Sequence, residues 1–162
     1  TAGGVGSRID VLEYVFKNKI ENTLFAGIYN EEIFRELKNK KNKIVIKDSI
    51  SKKKISISID KFYLKNDNAI VISNNNTVIF TKYRKPFHYL SDFRELNINL
   101  KKYKILIVKS GYLSPELKKL KADNFMILTD GFVTQDFKRI KNLFREKPIY
   151  PFQKNFRYNI AI

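Results

Sequence analysis

Two short polar segments in the last third of the sequence each follow an apolar run that is typical of a buried strand. Lys109, Ser110 and Gly111 follow residues 105–108, and Thr129, Asp130 and Gly131 follow residues 125–128. Ligands of open α/β sheets bind where parallel strands end, so these side chains are candidates for substrate binding. Lys109 could pair with a carboxylate of the ligand, and Ser110 could donate a hydrogen bond. An ordinary turn is the alternative, because Gly, Ser and Asp are common turn residues.

A glycine-rich segment near the start could also contact a ligand. Gly3, Gly4 and Gly6 precede Ser7 and a helical pattern, so their backbone amides could surround an anion at the start of a helix. The segment is neither a Walker loop nor a dinucleotide-binding fingerprint, since it lacks a following Gly-Lys-Ser/Thr and a preceding strand. A flexible entry segment is the alternative interpretation.

The residue counts argue against a metal centre built by this chain alone. The sequence contains one histidine, His88, and no cysteine, which excludes disulfides, thiolate catalysis and zinc–thiolate sites. A catalytic zinc ion usually takes three protein ligands, mostly His with Asp or Glu. We therefore expect no cofactor in this chain, no catalytic residues and no metal ligands, with His88 as a loop histidine near Pro86.

An alternative hypothesis is that the chain is itself an enzyme and uses its N-terminal residue as the nucleophile. A Thr1 that carries a free amine could act as an N-terminal nucleophile, which would make the chain an independent hydrolase. The simpler interpretation is that Thr1 is where a fragment or processed chain begins. No Gly-x-Ser-x-Gly elbow is present.

The helices and strands that must position these residues can be predicted from the spacing of apolar residues, and they indicate an α/β fold. Ile9, Leu12, Val15, Phe16 and Ile20 have helical spacing, with Ser7 as the expected N-cap. Residues 23–29 form a predicted buried strand and residues 31–37 a short helix, and the basic run 38–43 is expected to be a solvated loop.

The middle of the chain predicts antiparallel structure. Ile55, Ile57 and Ile59 alternate with serines, as in a half-buried strand. Residues 69–72 and 78–80 are two further predicted strands, joined through the asparagines at 74–76 as a hairpin.

The last third predicts a parallel βαβ unit. Its strands are residues 105–108 and 125–128, and its helix runs from Pro115 to Leu120 with Ser114 as the cap. Residues 134–144 are a further predicted helix, and the prolines at 148 and 151 predict an extended tail. The expected fold class is α/β, with a mixed sheet, this parallel unit, the central hairpin and helices packed on the sheet. We expect residues 1–162 to form a single domain.

The charge of the chain invites a second hypothesis, a basic module that binds RNA or another polyanion. The net charge is +16 over 162 residues, and lysines cluster at residues 38–43, 52–54 and 101–102. Lysine greatly outnumbers arginine, however, and arginine is the usual choice for bidentate phosphate and base contacts. Abundant Lys, Asn and Ile are also what an A/T-rich genome produces, so nucleic acid is not the favoured partner.

The sequence contains no signal-peptide pattern and no apolar run near the roughly 18 residues needed to span a bilayer. We therefore expect a cytoplasmic protein with no membrane partner.

Four segments resemble the C-terminal domain of the MlrC-like (microcystinase C) metallopeptidases, and their order agrees with that family. They are Gly3–Gly6 with Leu12, residues 22–29 (NTLFAGIY), residues 105–113 (ILIVKSGYL), and residues 128–131 with Gln135-Asp136 and the closing 145–151 (REKPIYP). The opening loop departs from the family pattern at Val5, Ser7 and Arg8.

The resemblance implies an accessory C-terminal domain that completes the substrate cleft of a zinc-dependent peptidase. It implies a partner, an N-terminal metallohydrolase domain that is fused or separate and holds the zinc, and a small peptide as substrate. No zinc ligand of the family can be placed on this sequence, so we expect this chain alone to be inactive.

Overall fold

The computed structural model describes residues 9–39, 42–48, 52–109, 114–125 and 127. The chain divides into two compact units, Thr1–Ala122 and Asp123–Ile162. All helices and strands of the described residues belong to the first unit. In chain order they are α1 (Asp10–Lys17), β1 (Thr23–Tyr29), α2 (Glu32–Lys38), β2 (Lys43–Lys47), β3 (Lys54–Ser58), β4 (Lys61–Lys65), β5 (Asn68–Ser73), β6 (Asn76–Thr81), α3 (Leu90–Arg94), a 3₁₀ turn (Leu100–Lys102), β7 (Ile105–Val108) and α4 (Pro115–Lys118).

Five strands form a mixed sheet in the order β4-β5-β6-β1-β7. β1 pairs in parallel with both β6 and β7, whereas β4, β5 and β6 pair antiparallel in sequence. β2 and β3 form a separate antiparallel hairpin. Parallel strands are typically covered on both faces, and β1 is buried along its length except at Tyr29.

The two faces of the sheet carry two apolar clusters. The first contains Phe25 and Ile28 of β1 and is covered by α1, α2 and the β2–β3 hairpin. The second contains Leu24 and Ala26 of β1 and is covered by Phe87, Phe93 and Leu117, among others. Alternation along β1 thus supplies both clusters, as the two-residue period of a strand requires.

That alternation is interrupted once, at a bulge in β1. Between Phe25 and Ile28 the register with β6 shifts by one residue, and Gly27 lies there with a φ of +84°. Because a bulge inserts one extra residue, Ile28 returns to the same face as Phe25.

Two-residue turns join the antiparallel strands. Asn66 and Asp67 connect β4 to β5, and Asn74 and Asn75 connect β5 to β6; all four have positive φ. Two successive residues of positive φ define the type I′ turn, whose twist matches that of the flanking strands. Asn and Asp tolerate this conformation better than other residues with a side chain.

Most predicted elements are confirmed. The fold class is α/β with a mixed sheet, an antiparallel hairpin and packed helices. The strand at 23–29, the helices near 9–20 and 31–37, the β5–β6 hairpin and the strands around 55–59 and 105–108 are present.

Several details differ from the predictions. Two strands that the sequence did not predict are present, and Lys43, assigned to a solvated loop, begins one of them, β2. Helix α1 begins at Asp10 with Ile9 at the N-cap, so the prediction that Ser7 caps it is wrong. Ser114 does precede α4, but its side chain makes no capping hydrogen bond.

The parallel partner of β7 also differs from the prediction. β7 pairs with β1, while Phe125 and Ile127, placed by the sequence in a strand, lie outside any strand and are strongly exposed. The predicted helix at 134–144 and the tail at 148–152 lie outside the described residues. The single domain over residues 1–162 stays a prediction.

Within the described ranges, no helix has the length and apolar character that crossing a membrane would require.

Candidate functional site

The carboxyl ends of β6, β1 and β7 meet at one edge of the sheet because these three strands are parallel. We call this surface the carboxyl edge and define it by residues 29–31, 82–89 and 109. The backbone N–H of Asn30 donates to the carbonyl oxygen of Thr81 at 3.1 Å, which joins the chain after β1 to the end of β6. Lys109 is exposed, and the pairing of Val108 with Ala26 places it level with Gly27, two residues before the end of β1.

An arginine and a tyrosine contact each other at the centre of this edge. The guanidinium carbon of Arg84 lies 5.6 Å from the centre of the Tyr29 ring. Both side chains are exposed, so the cation–π contact is worth about 0.5–1 kcal/mol. Its main effect is to hold the guanidinium close to the sheet, with its N–H donors available to an anion.

Lys82 is the first residue after β6 and remains protonated over a wide pH range. A hydrogen bond with the Tyr83 side chain, supported by the negative charges that Tyr83 and Asp67 can carry, raises the pKa of Lys82 above its ordinary value of 10.5. The Lys82 Nζ lies 5.3 Å from the centre of the Tyr83 ring and 3.9 Å from a carboxylate oxygen of Asp67. Both partners of this ion pair are well exposed, so it contributes little to stability.

The segment between β6 and α3 is anchored to β1 by close packing. A Cβ on Gly27 would lie 2.8 Å from the nearest Phe87 ring carbon and 3.2 Å from the carbonyl oxygen of Lys85. Phe87 is almost fully buried and packs against Phe93, with ring centres 5.4 Å apart. The absent side chain of Gly27 is therefore what allows the segment to lie this close to the strand.

Asp92 fixes the other end of the same segment. One carboxylate oxygen accepts from the backbone N–H groups of His88 and Tyr89, at 3.0 and 2.9 Å. The other pairs with the Lys85 ammonium at 3.2 Å. These contacts cap α3 and fix the backbone conformation of residues 85–89.

The beginning of α4 is bound to this segment as well. The Ser114 hydroxyl donates to the carbonyl oxygen of His88, and a carboxylate oxygen of Glu116 accepts from the Leu90 N–H at 2.8 Å. Ser114 and Leu117 are buried, and Leu117 belongs to the same apolar cluster as Phe87, so the start of α4 supports the 82–89 segment of the carboxyl edge.

The chemistry available at the carboxyl edge is the binding of anions. Lys82, Arg84 and Lys109 supply positive charge, and Tyr29, Tyr83 and Tyr89 supply exposed aromatic surface. In the part of the chain that the structure describes, no group of three His, Cys, Asp or Glu side chains could hold a metal ion. His88 is half-buried in a loop, with its backbone groups bonded to Asp92 and Ser114.

Of the predicted site residues, Lys109 is the one that the structure describes, and it lies at the carboxyl edge. The others fall outside the described residues: Gly3, Gly4, Gly6, Ser7, Ser110, Gly111, Thr129, Asp130 and Gly131. Arg84, Lys82 and Tyr29 were missed. The same strand-end rule would have found the basic run at 82–85, had it been applied to the strand before it.

A comparison with protein families adds a separate observation. The family model described as MlrC C-terminus matches residues 48–142, which is more than half of the chain.

The chain belongs to the MlrC C-terminus family.

The region matched to the MlrC C-terminus family runs from the end of β2 through α4 and on to residue 142. It contains the 82–89 segment, Lys109–Gly111 and Thr129–Gly131, and it leaves Gly3–Ser7 outside. A comparison with curated proteins finds no match.

Proposed function

We propose that this chain is an accessory domain that completes the substrate cleft of an MlrC-like zinc-dependent peptidase. The zinc ion would belong to an N-terminal metallohydrolase domain, fused or separate, and the carboxyl edge would face it. The observation that carries the proposal is that cations follow two of three parallel strands at one edge, Lys82 and Arg84 after β6 and Lys109 after β7.

The proposed role of these cations is to hold a carboxylate of a small peptide substrate. Lysine provides a point charge, and arginine can bind a carboxylate through two parallel N–H donors. The family-like segments support further proposed contributors to substrate binding: Ser7, Ser110, Thr129, Asp130 and the glycines at 3, 4, 6, 111 and 131. Fixing the peptide relative to the metal would speed hydrolysis by lowering the entropic cost of reaching the reactive geometry.

The test is peptide hydrolysis by this chain together with an MlrC-type metallohydrolase domain, fused or added separately. Lys109→Ala and Arg84→Ala should each raise KM for a peptide with a free carboxylate by about 10-fold, the effect of losing one charge-assisted hydrogen bond. Lys101→Ala is the matched control, since Lys101 is also exposed but precedes β7 at the opposite edge.

Two results would contradict the proposal. Hydrolysis that is the same with and without this chain would remove the accessory role. Equal changes in KM for Lys109→Ala and Lys101→Ala would remove the role of the carboxyl edge.

A further inference from the structure

The outward face of the β2–β3 hairpin carries three exposed lysines and no acidic side chain. Along β2 the side chains at 43, 45 and 47 are exposed, and along β3 those at 54, 56 and 58 are exposed. They are Lys43, Val45, Lys47, Lys54, Ser56 and Ser58. The opposite face carries Ile44, Ile46 and Ile57, each at most 1% exposed in the first apolar cluster.

The inward face fixes which side chains point outward. Side chains along a strand alternate between the two faces. Because the isoleucines are buried on the inward face, the lysines at the alternate positions point outward. The lysines are therefore displayed on a strand pair that is held against the body of the unit, next to α1 and α2.

Two of these lysines face each other directly. Lys47 pairs with Lys54 in the antiparallel register, and like charges at directly opposed positions destabilise a strand pair. Neither strand contains an acidic residue, so neither strand supplies a carboxylate to offset this repulsion. An anionic ligand that lies across the hairpin would relieve it.

We infer that the outward face of the β2–β3 hairpin binds the phosphate backbone of a nucleic acid. Lys43 and Lys47 lie about 13 Å apart along β2 at ~3.3 Å per residue. A two-stranded ribbon is narrow enough to enter the major groove of a duplex. The Ser56 and Ser58 hydroxyls are further donors to phosphate oxygens.

The composition of this face defines the kind of binding. It presents lysines and no arginine, so it has positive charge without the fork of donors that reads guanine. The hairpin therefore binds without regard to base sequence, and its affinity falls steeply with salt. This surface is formed by different strands from those of the carboxyl edge, so the inference is independent of the proposed peptidase role.

The experiment compares two triple variants of the whole chain that lose the same charge. Lys43→Gln/Lys47→Gln/Lys54→Gln removes the hairpin lysines, and Lys17→Gln/Lys118→Gln/Lys119→Gln removes three exposed lysines that lie outside every lysine cluster named above. Binding to fluorescently labelled 20-nucleotide single strands and 20-base-pair duplexes is followed by anisotropy from about 50 to 300 mM salt. Thermal melting of each variant verifies that it is folded.

The hairpin variant should bind at least about 10-fold more weakly at 100 mM salt, and its slope of log affinity against log salt should fall by roughly 2–3. The control variant should stay within about 2-fold of the unaltered chain. Equal losses in both variants would show that net charge alone attracts the oligonucleotides and would overturn the inference. So would unchanged binding by the hairpin variant, which is expected if the lysines serve only to protect the strand edges. Stronger hairpin-dependent binding to anionic lipid vesicles than to either oligonucleotide would also overturn it.

Discussion

At the scale of single residues, Gly27 determines the course of the chain at the carboxyl edge. Its positive φ and its missing side chain act together, because the bulge needs the first and the Phe87 ring needs the second. Arg84 reaches Tyr29 from the same anchored segment. One glycine therefore positions Arg84, which is distant in the sequence but follows β6, the neighbour of β1 in the sheet.

Gly27→Ala should destabilise the fold by about 2 kcal/mol, since an alanine at this φ is strained and its Cβ would overlap the ring. Urea denaturation measures the change. In a Phe87→Leu background the cost of Gly27→Ala should be smaller, because the ring contact is gone while the strained φ remains. The same cost in both backgrounds would show that the ring can move aside.

Tyr63 links the edge strand β4 to the chain after α3 through one hydrogen bond. Its hydroxyl donates to the carbonyl oxygen of Leu96 at 2.9 Å. Burial, with a smaller contribution from Tyr103, raises the pKa of Tyr63 above its ordinary value of 10.0. The folded chain therefore keeps the phenol protonated at pH values where the unfolded chain ionises.

Tyr63→Phe should cost about 1 kcal/mol at pH 7, the usual net value of such a hydrogen bond. The contribution of Tyr63 is fully present below pH 10 and is lost as the pH rises through its raised pKa. The stability difference between the unaltered chain and Tyr63→Phe should thus shrink above pH 10. Denaturation curves at several alkaline pH values test this, with the exposed Tyr14→Phe as a control. A difference that is constant with pH would contradict the expectation.

At the scale of elements, the apolar pattern of the sequence predicted the strands that are long or strictly alternating, and it missed two short ones. β1 is a run of apolar residues, and the isoleucines of β3 alternate with serines, so both were predicted. β2 and β4 begin and end with lysine, and lysine is depleted in strands, so their short apolar centres were not recognised. Helix α3 has five residues, and its capping by Asp92 is local. The burial of Phe93 in the second apolar cluster is a tertiary contact that no local pattern reveals.

The candidate site was partly predictable for the same reason. The strand-end rule identified Lys109, because β7 was recognised and parallel pairing was expected. The same rule was not applied to the predicted strand at 78–80, so it did not identify Arg84, and the contact of Arg84 with Tyr29 on the neighbouring strand β1 is visible only in the structure. The bulge at Gly27 was not predicted either, since a bulge depends on the partner strand as much as on its own residues.

The β5–β6 turn offers a stabilising substitution. Asn75 has a φ of +60° at the second central position of a type I′ turn, where glycine is preferred. Asn75→Gly should therefore stabilise the fold by about 0.5 kcal/mol, measured as a higher urea midpoint. Ser91→Gly, an exposed position within α3, should act in the opposite direction. A lower midpoint for Asn75→Gly would show that its side chain supports the turn.

At the scale of the whole molecule, charge and ligand content set what the chain can do unaided. The net charge is +16, and one histidine and no cysteine are available. The positive charge favours anionic ligands, and one histidine without cysteine does not supply the ligands of a histidine-rich zinc site. The two surfaces that we propose to bind anions, the carboxyl edge and the β2–β3 hairpin, both carry exposed lysines.

Zinc should accordingly leave the stability of the purified chain unchanged. A ligand that binds the folded state raises the midpoint of thermal unfolding, so adding about a tenfold excess of zinc chloride should shift the midpoint by less than about 1 °C. A larger increase that a chelator reverses would reveal a site made of carboxylates. Calorimetric titration with zinc gives a second, independent measurement.

The central position of β1 also affects how the chain is made. β1 is synthesised before its sheet partners. Thr23 bonds to Asn76, 53 residues later, and Leu24 pairs with Leu106 of β7 later still. At roughly 5–20 residues per second, the last partner emerges about 4–16 seconds after β1. During that interval a nearly continuous apolar strand with two unsatisfied edges leaves the ribosome. A nascent chain arrested before residue 105 should therefore bind chaperones that recognise extended apolar segments, and release them once β7 has emerged.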